Sequence, residues 1–317
     1  MKAVVIHQAG GPEQLKLEEV PLPSAQTGWS VVKIKGFGIN HSEIFTRRGL
    51  SPTVNFPRIL GIECVGVISA TSDPQRLPVG QKVVSIMGEM GRAFDGSYAE
   101  YVRLPNEQIY PVHTKLDWVT LATIPETYYT AYGSLLNLRI KAGQRILVRG
   151  GSSGVGVAFT QLAKALFADV TIDGTTRKMS KAAQLLAVGY NNVIQDRAGV
   201  LKTANSYDRV LELIGPATIK ETFSHVRAGG IVCSTGELGN EWYLAEFDPI
   251  TDLAPNSYLT SFYSGNVDGD KLNAMLQVIE KYQLQVKPTK IFSLEELPQA
   301  HEFLESNQSF GKVIVMN

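Results

Sequence analysis

Residues 145–156 read RILVRGGSSGVG, and the chain runs on as VAFTQLAKALF through residue 167. Ile146, Leu147 and Val148 make a short apolar run suited to a buried strand, and from Val155 onward apolar residues recur at helical spacing. Between the two sit Gly150, Gly151, Gly154 and Gly156. A strand that ends in a glycine-rich turn and opens a helix aims free backbone N–H groups and the positive end of a helix dipole at one point. That arrangement suits a dinucleotide pyrophosphate, cradled by Gly151, Ser152, Ser153, Gly154, Val155 and Gly156. A side chain at Gly151, Gly154 or Gly156 would obstruct the approach. A glycine turn alone is weak evidence, because a tight turn that binds nothing has the same composition. The pattern downstream strengthens it: a strand at 170–173, a helix at 180–188, then strands at 192–195, 209–214 and 230–234. Alternation of this kind predicts an α/β domain, a parallel sheet with crossover helices.

The end of the second strand selects the cofactor. NAD sites place a carboxylate there for the ribose 2′-hydroxyl, whereas NADP sites supply a cation for the 2′-phosphate. The text here is Asp173, Gly174, Thr175, Thr176, Arg177, Lys178. Two hydroxyls and two cations suit a phosphate, with Arg able to bond two oxygens and Lys acting as a point charge. NADPH is therefore the expected cofactor, with Gly174, Thr175, Thr176, Arg177 and Lys178 as its specificity segment. Asp173 keeps the other choice open: shifted by one position it could serve as the NAD carboxylate.

Outward from this core the composition changes. The first third alternates short β-branched runs, at 30–35, 64–69 and 82–86, with turn signals such as Gly10-Gly11-Pro12, which predicts a compact, barrel-like β domain. The pattern shifts near Thr120 and again near Pro255, after which come a strand at 257–263, helices at 271–283 and 297–306, and a closing strand in GKVIVMN. A length of 317 residues suits two domains. Thirty basic and thirty acidic residues cancel, so no domain-wide field attracts nucleic acid or an acidic membrane, and neither is expected as a partner. No apolar stretch approaches the ~18 residues of a membrane span. The opening MKAVVIHQAG reads as a strand rather than a signal peptide. Two cysteines, Cys64 and Cys233, support neither a disulfide framework nor a four-cysteine zinc lobe, and point to a reducing, cytoplasmic compartment.

Several pieces in this order carry a resemblance: MKAVVIHQAGGPEQLKLEEVPLP at the start, Gly38-Ile39-Asn40 followed by His41-Ser42-Glu43, and PRILGIE at 57–63 with Gly66. Further on come GSYAEY at 96–101, PETYYTAY at 125–132, the glycine turn, and GKVIV at 311–315. Over its whole length the chain resembles the medium-chain dehydrogenase/reductase superfamily, within it the zinc-free quinone oxidoreductase (zeta-crystallin-like) branch. The resemblance implies a GroES-like β-barrel catalytic domain split around an inserted Rossmann domain with a doubly wound parallel sheet. It places the divisions at 1–119, 120–254 and 255–317. It also implies a homodimer, paired through the edge of the central sheet.

Zinc-dependent relatives carry a cysteine ligand where this chain has Asn40 and a histidine where it has Ile62, so the resemblance implies a metal-free protein. It points to delivery of hydride from NADPH to a small electrophile, a quinone or an α,β-unsaturated carbonyl compound. The residues that match the nicotinamide pocket are Asn40, Glu43, Phe45 and Thr127, with the backbone around Gly236 and Leu238 holding the carboxamide. Phe45 stands where relatives often carry tyrosine, Glu126 is charged in a stretch that relatives keep small, and Asp196 replaces a tyrosine that some relatives offer to the 2′-phosphate. Glu63 reads equally well as a buried carboxylate anchoring a turn. Tyr128 and Tyr129 read as core more readily than as substrate contacts, His41 reads as a loop histidine, and His301 shows no partner pattern. The alternative function is a non-catalytic NADPH-binding protein of the same fold.

Overall fold

A computed structural model of the chain describes every residue except Asn307. The chain forms two compact units, one of Met1–Glu126, Ser264–Lys281 and Gln285–Asn317, the other of Thr127–Tyr263 with Tyr282–Leu284. These divisions fall some residues later than the expected 119/120 and 254/255. At the first crossing the helix Pro125–Leu138 runs straight through, so no turn marks it. At the second, the strand Tyr258–Ser261 pairs in parallel with Val226–Ser234 and so belongs to the second unit rather than to the tail.

The first unit is built on the long strand Trp29–Ile39, which is buried along most of its length and exposes only Lys33. It pairs antiparallel with Glu63–Ala70, with Tyr101–Pro105 and, from the far end of the chain, with Val313–Met316. The last pairing sets Val313 opposite Ile39. Register alone therefore brings Lys312, one residue before the closing strand, beside Asn40, one residue after the long one. Ile6, Val32, Phe37, Leu60 and Leu104 lie in the apolar interior of this unit.

The second unit is a seven-stranded sheet in the order Val200–Leu201, Asn192–Arg197, Thr171–Thr176, Arg145–Arg149, Tyr207–Glu212, Val226–Ser234, Tyr258–Ser261. All pairs are parallel except the first, which is antiparallel. Chain order runs outward in both directions from Arg145–Arg149, which is thus the strand at which the winding reverses. Open α/β sheets bind ligands at this reversal, beyond the carboxyl ends of the strands. The helix that leaves the glycine turn, Gly154–Leu166, buries Ala158, Phe159, Leu162 and Ala163 against the sheet.

Candidate functional site

In the second unit the turn after Arg145–Arg149 is tied down by its neighbours. Gly150 adopts φ +89°, which a side chain rarely tolerates. Its N–H donates to Thr175 Oγ1 at 3.0 Å, and the Gly151 N–H donates to the Thr175 carbonyl at 3.1 Å. Ser153 caps the helix: its hydroxyl accepts from the Gly156 N–H at 3.1 Å and donates to the Gly150 carbonyl at 2.7 Å. A Cβ on Gly156 would lie 2.8 Å from the Gly150 oxygen and 3.0 Å from the Gly151 Cα, so this glycine supplies space rather than conformation. The amides of Gly154 and Val155 open the helix, where no intrahelical acceptor exists by construction. The turn therefore leaves backbone amides at its mouth that suit an anion.

The specificity segment is divided by the strand that carries it. The strand extends to Thr176, so Gly174 and Thr175 are interior residues. Gly174 faces the Tyr190 ring, where a Cβ would come within 2.6 Å of two ring carbons, and Thr175 spends its hydroxyl on the Gly150 amide. Neither presents a side chain to a phosphate, and their expected role is corrected accordingly to holding the turn. The Thr176 hydroxyl bonds the Lys178 backbone, and Arg177 and Lys178 are exposed just beyond it. Lys181 joins them: burial, then the charges of Lys178 and Arg177, hold its ammonium below the usual lysine range.

Asp173 is accounted for elsewhere. It is fully buried, 3.0 Å from the Arg145 guanidinium, and accepts from Tyr207 Oη at 2.9 Å and Asn192 Nδ2 at 2.8 Å. It lies opposite Leu147, below the level of the turn, and its carboxylate oxygens are committed. Asp196 is likewise withdrawn, paired at 2.9 Å with the buried Arg149, which also bonds Glu221 at 2.6 Å. Gly236 and Leu238 follow the strand Val226–Ser234; the Leu238 N–H donates to the Leu213 carbonyl at 3.1 Å. Thr127 is buried, and Tyr128 donates to Gln161 at 2.5 Å, so Tyr128 is a core residue, as is the fully buried Tyr129 against Phe262.

The first unit gathers a polar cluster from four distant stretches. Lys312 Nζ donates to Asn40 Oδ1 and to Glu63 Oε1, each at 2.5 Å. Asn40 Nδ2 donates to the same Glu63 oxygen at 3.0 Å, and Glu63 Oε2 accepts from the Glu126 N–H at 2.7 Å. Glu63 is fully buried and Lys312 nearly so. Gly38 makes room, since a Cβ there would meet Lys312 Cε and Glu63 Oε1. Because an ammonium can only donate, Lys312 fixes which end of the Asn40 amide is oxygen and leaves the second Nδ2 proton to be used elsewhere. Glu63 thus anchors an amide, an ammonium and the first turn of the helix that carries Thr127.

Glu43 lies in the wall of this cluster. Its two oxygens accept from the backbone N–H groups of Asn40 at 2.6 Å and Ile62 at 3.2 Å, and it closes the capping box of the helix His41–Arg47. Burial, then the Glu63 charge, push its carboxyl up to about 8, against the opposing pull of Lys312. Its expected catalytic role is replaced by this one. Phe45, two residues on, is half-buried. His301 does have a partner: its Nε2 lies 2.9 Å from Tyr98 Oη, and burial, then Arg47, push the imidazole down to about 3. Lys312, Tyr190 and Lys181 are the residues that sequence reasoning passed over. Only the GKVIV ending gave any signal for the first.

With this geometry in view, residues 26–114 match the family described as Alcohol dehydrogenase GroES-like domain, and residues 188–315 the family described as Zinc-binding dehydrogenase. Human quinone oxidoreductase is 28% identical over 100% of this chain and 98% of its own length. The structure of the quinone oxidoreductase from Coxiella burnetii superposes with a TM-score of 0.87 at 25% identity, covering 100% of this chain and 99% of the other. A mycobacterial structure complexed with NADPH gives a TM-score of 0.85 at 22% identity, covering 100% of both chains. The chain belongs to the medium-chain dehydrogenase/reductase superfamily, in its quinone oxidoreductase-like branch. It is accordingly an oxidoreductase of a nicotinamide-dinucleotide-binding family, with a GroES-like and a Rossmann-like domain.

The zinc in one family's description does not fit these residues. Asn40 and Ile62 offer an amide and an alkyl group, and Glu63 already carries the Lys312 ammonium at 2.5 Å. Among the described residues no group of three or more His, Cys, Asp and Glu side chains could hold a metal ion. Nor is any described helix long and apolar enough to cross a membrane.

Proposed function

We propose that this oxidoreductase is zinc-independent and uses NADPH to reduce a quinone or an α,β-unsaturated carbonyl compound. The observation that carries the cofactor choice is the end of the strand Thr171–Thr176, where Arg177, Lys178 and Lys181 cluster and where Asp173 is buried in an ion pair. A 2′-phosphate would relieve the mutual repulsion of those three cations, and no carboxylate of that strand is free to bond a ribose hydroxyl.

NADPH, when bound, supplies the hydride; the protein orients and stabilises. The N–H groups at the start of the helix Gly154–Leu166 would hold the pyrophosphate, and Arg177 and Lys178 would hold the 2′-phosphate. Asn40, its amide set by Lys312 and Glu63, would have one N–H left to donate to the acceptor. Relatives named quinone oxidoreductase support this substrate class. The strand Tyr258–Ser261 leaves an open sheet edge with Tyr258 exposed, which supports a homodimer formed by edge pairing, and the two buried free cysteines suit the cytoplasm.

The test is a dissociation constant for NADPH and for NADH, followed by turnover of quinones and enones with whichever binds. Tighter NADPH binding with turnover supports the proposal. NADPH binding without turnover of any acceptor would favour the non-catalytic reading, and tighter NADH binding would overturn the cofactor assignment.

A further inference from the structure

Tyr190 is buried, and it sits in a notch that Gly174 leaves open in the neighbouring strand. Its hydroxyl lies 3.0 Å from the Gly151 carbonyl and 2.9 Å from the Gly156 carbonyl. A phenol has one proton, so the two carbonyls share it, one from each end of the glycine turn. Burial pushes this phenol up from its ordinary range, which keeps it a donor. Peptide planes are rigid, so tying down the Gly151 carbonyl also fixes the Ser152 N–H, which must point away from Tyr190. Thr175 holds the amides of Gly150 and Gly151, and Ser153 holds that of Gly156. Ser153 and Thr160 also hold the carbonyls of Gly150 and Gly156; Tyr190 supplies what these bonds do not, a restraint on the Gly151 carbonyl and a single tie between the two ends of the turn.

We propose that Tyr190 is a positioning residue for the dinucleotide turn, locking its peptide planes before ligand arrives, and that Gly174 exists to admit its ring. The lock itself follows from the contacts above; its effect on NADPH rests on the proposed function. A preset turn lowers the ordering cost of binding. Tyr190→Phe removes the shared bond and the hydroxyl's contact with Thr160 but keeps the ring, so the fold is kept. A neutral hydrogen bond is worth about 0.5–1.5 kcal/mol, which is roughly a twofold to tenfold change in affinity.

Two measurements on the full chain test this. The first is hydrogen exchange across residues 150–157 without ligand. The second is titration with NADPH and, separately, with adenosine 2′-phosphate, which lacks the pyrophosphate. Tyr190→Phe should speed exchange at the hydrogen-bonded amides of Gly151, Ser153 and Gly156 and weaken NADPH about two- to tenfold, while adenosine 2′-phosphate binds as before. Gly174→Ala, which must displace the ring, should do the same with the hydroxyl still present, and it serves if the first variant folds poorly. Unchanged exchange in both variants overturns the lock. Normal exchange behaviour aside, if the wild type binds no dinucleotide the proposed function fails, and exchange alone then decides for or against Tyr190.

Discussion

The glycine turn of the second unit and the Asn40 cluster of the first are built in opposite ways. The turn draws its groups from one contiguous stretch, 151–156, and from backbone amides that any sequence possesses. The cluster joins residues 40, 63, 126 and 312, and all of its groups but the Glu126 N–H are side chains. The turn tolerates nothing larger than hydrogen at Gly156, yet it contains no charge. The cluster has ample chemical identity but depends on one buried ion pair, Lys312 with Glu63. Sites made of backbone fail when crowded, and sites made of buried charge fail when a partner is removed.

The largest effect should therefore come from the cluster. Lys312→Met leaves the Glu63 carboxylate buried without its cation, a change that costs about 3–5 kcal/mol. Adding Glu63→Gln should recover part of that loss, because the uncharged amide still accepts from the Glu126 N–H. Denaturant unfolding of the two variants and the wild type measures both. A single variant within about 1 kcal/mol of wild type would show that the pair is not what holds the cluster.

Within the second unit the comparison sharpens between exposed and buried charge. Arg177→Ala or Lys178→Ala should weaken NADPH by about tenfold to a hundredfold, since charge-assisted bonds are worth about 1.5–3 kcal/mol, and should leave NADH nearly unchanged. Asp173→Ala should act on stability instead. It strips Arg145, Tyr207 and Asn192 of their shared acceptor, at a cost of about 1–3 kcal/mol, and leaves the ratio of NADPH to NADH affinity where it was. A shift of that ratio toward NADPH in Asp173→Ala would return the carboxylate to the ribose pocket.

This contrast also marks how far the sequence could be read. The strand, turn and helix of 145–167 were legible because glycine spacing and apolar periodicity are local signals. Asp173 was ambiguous because the strand's end is not local: it runs to Thr176, three residues past the carboxylate, since β-branched Thr175 and Thr176 extend it. Lys312 was invisible as a site residue because only the antiparallel register of Val313 with Ile39 brings it to Asn40. Glu43 was placed at the chemistry by family position, whereas the backbone amides of Asn40 and Ile62 claim both its oxygens. Tyr190 gave no signal, because a tyrosine after a helix-ending glycine is explained by packing alone.

The smallest effect is one of slope rather than size, and it tests whether the cluster wall is set by burial. Glu43 has its carboxyl raised from the usual 4.5 to about 8, burial being the first cause and Glu63 the second. In the folded protein the proton is thus held more tightly than in the unfolded chain. A raised value of this kind gives a contribution to stability that is fully present below about 4.5 and is lost as pH rises through about 8. Glu43→Gln removes the titrating group, and it also replaces one accepting oxygen by an amide nitrogen, so the variant carries a cost that does not depend on pH and should be the less stable protein at acid pH. That offset is constant. What changes is the gap between the two proteins, which should narrow steadily as the wild type alone loses stability across this window. Thermal midpoints of both proteins measured from pH 5 to pH 9, in buffers of matched ionic strength, show it directly. If the two curves run parallel, the Glu43 proton is not held by burial, and the wall of the cluster is an ionised cap like any on a helix exposed to water.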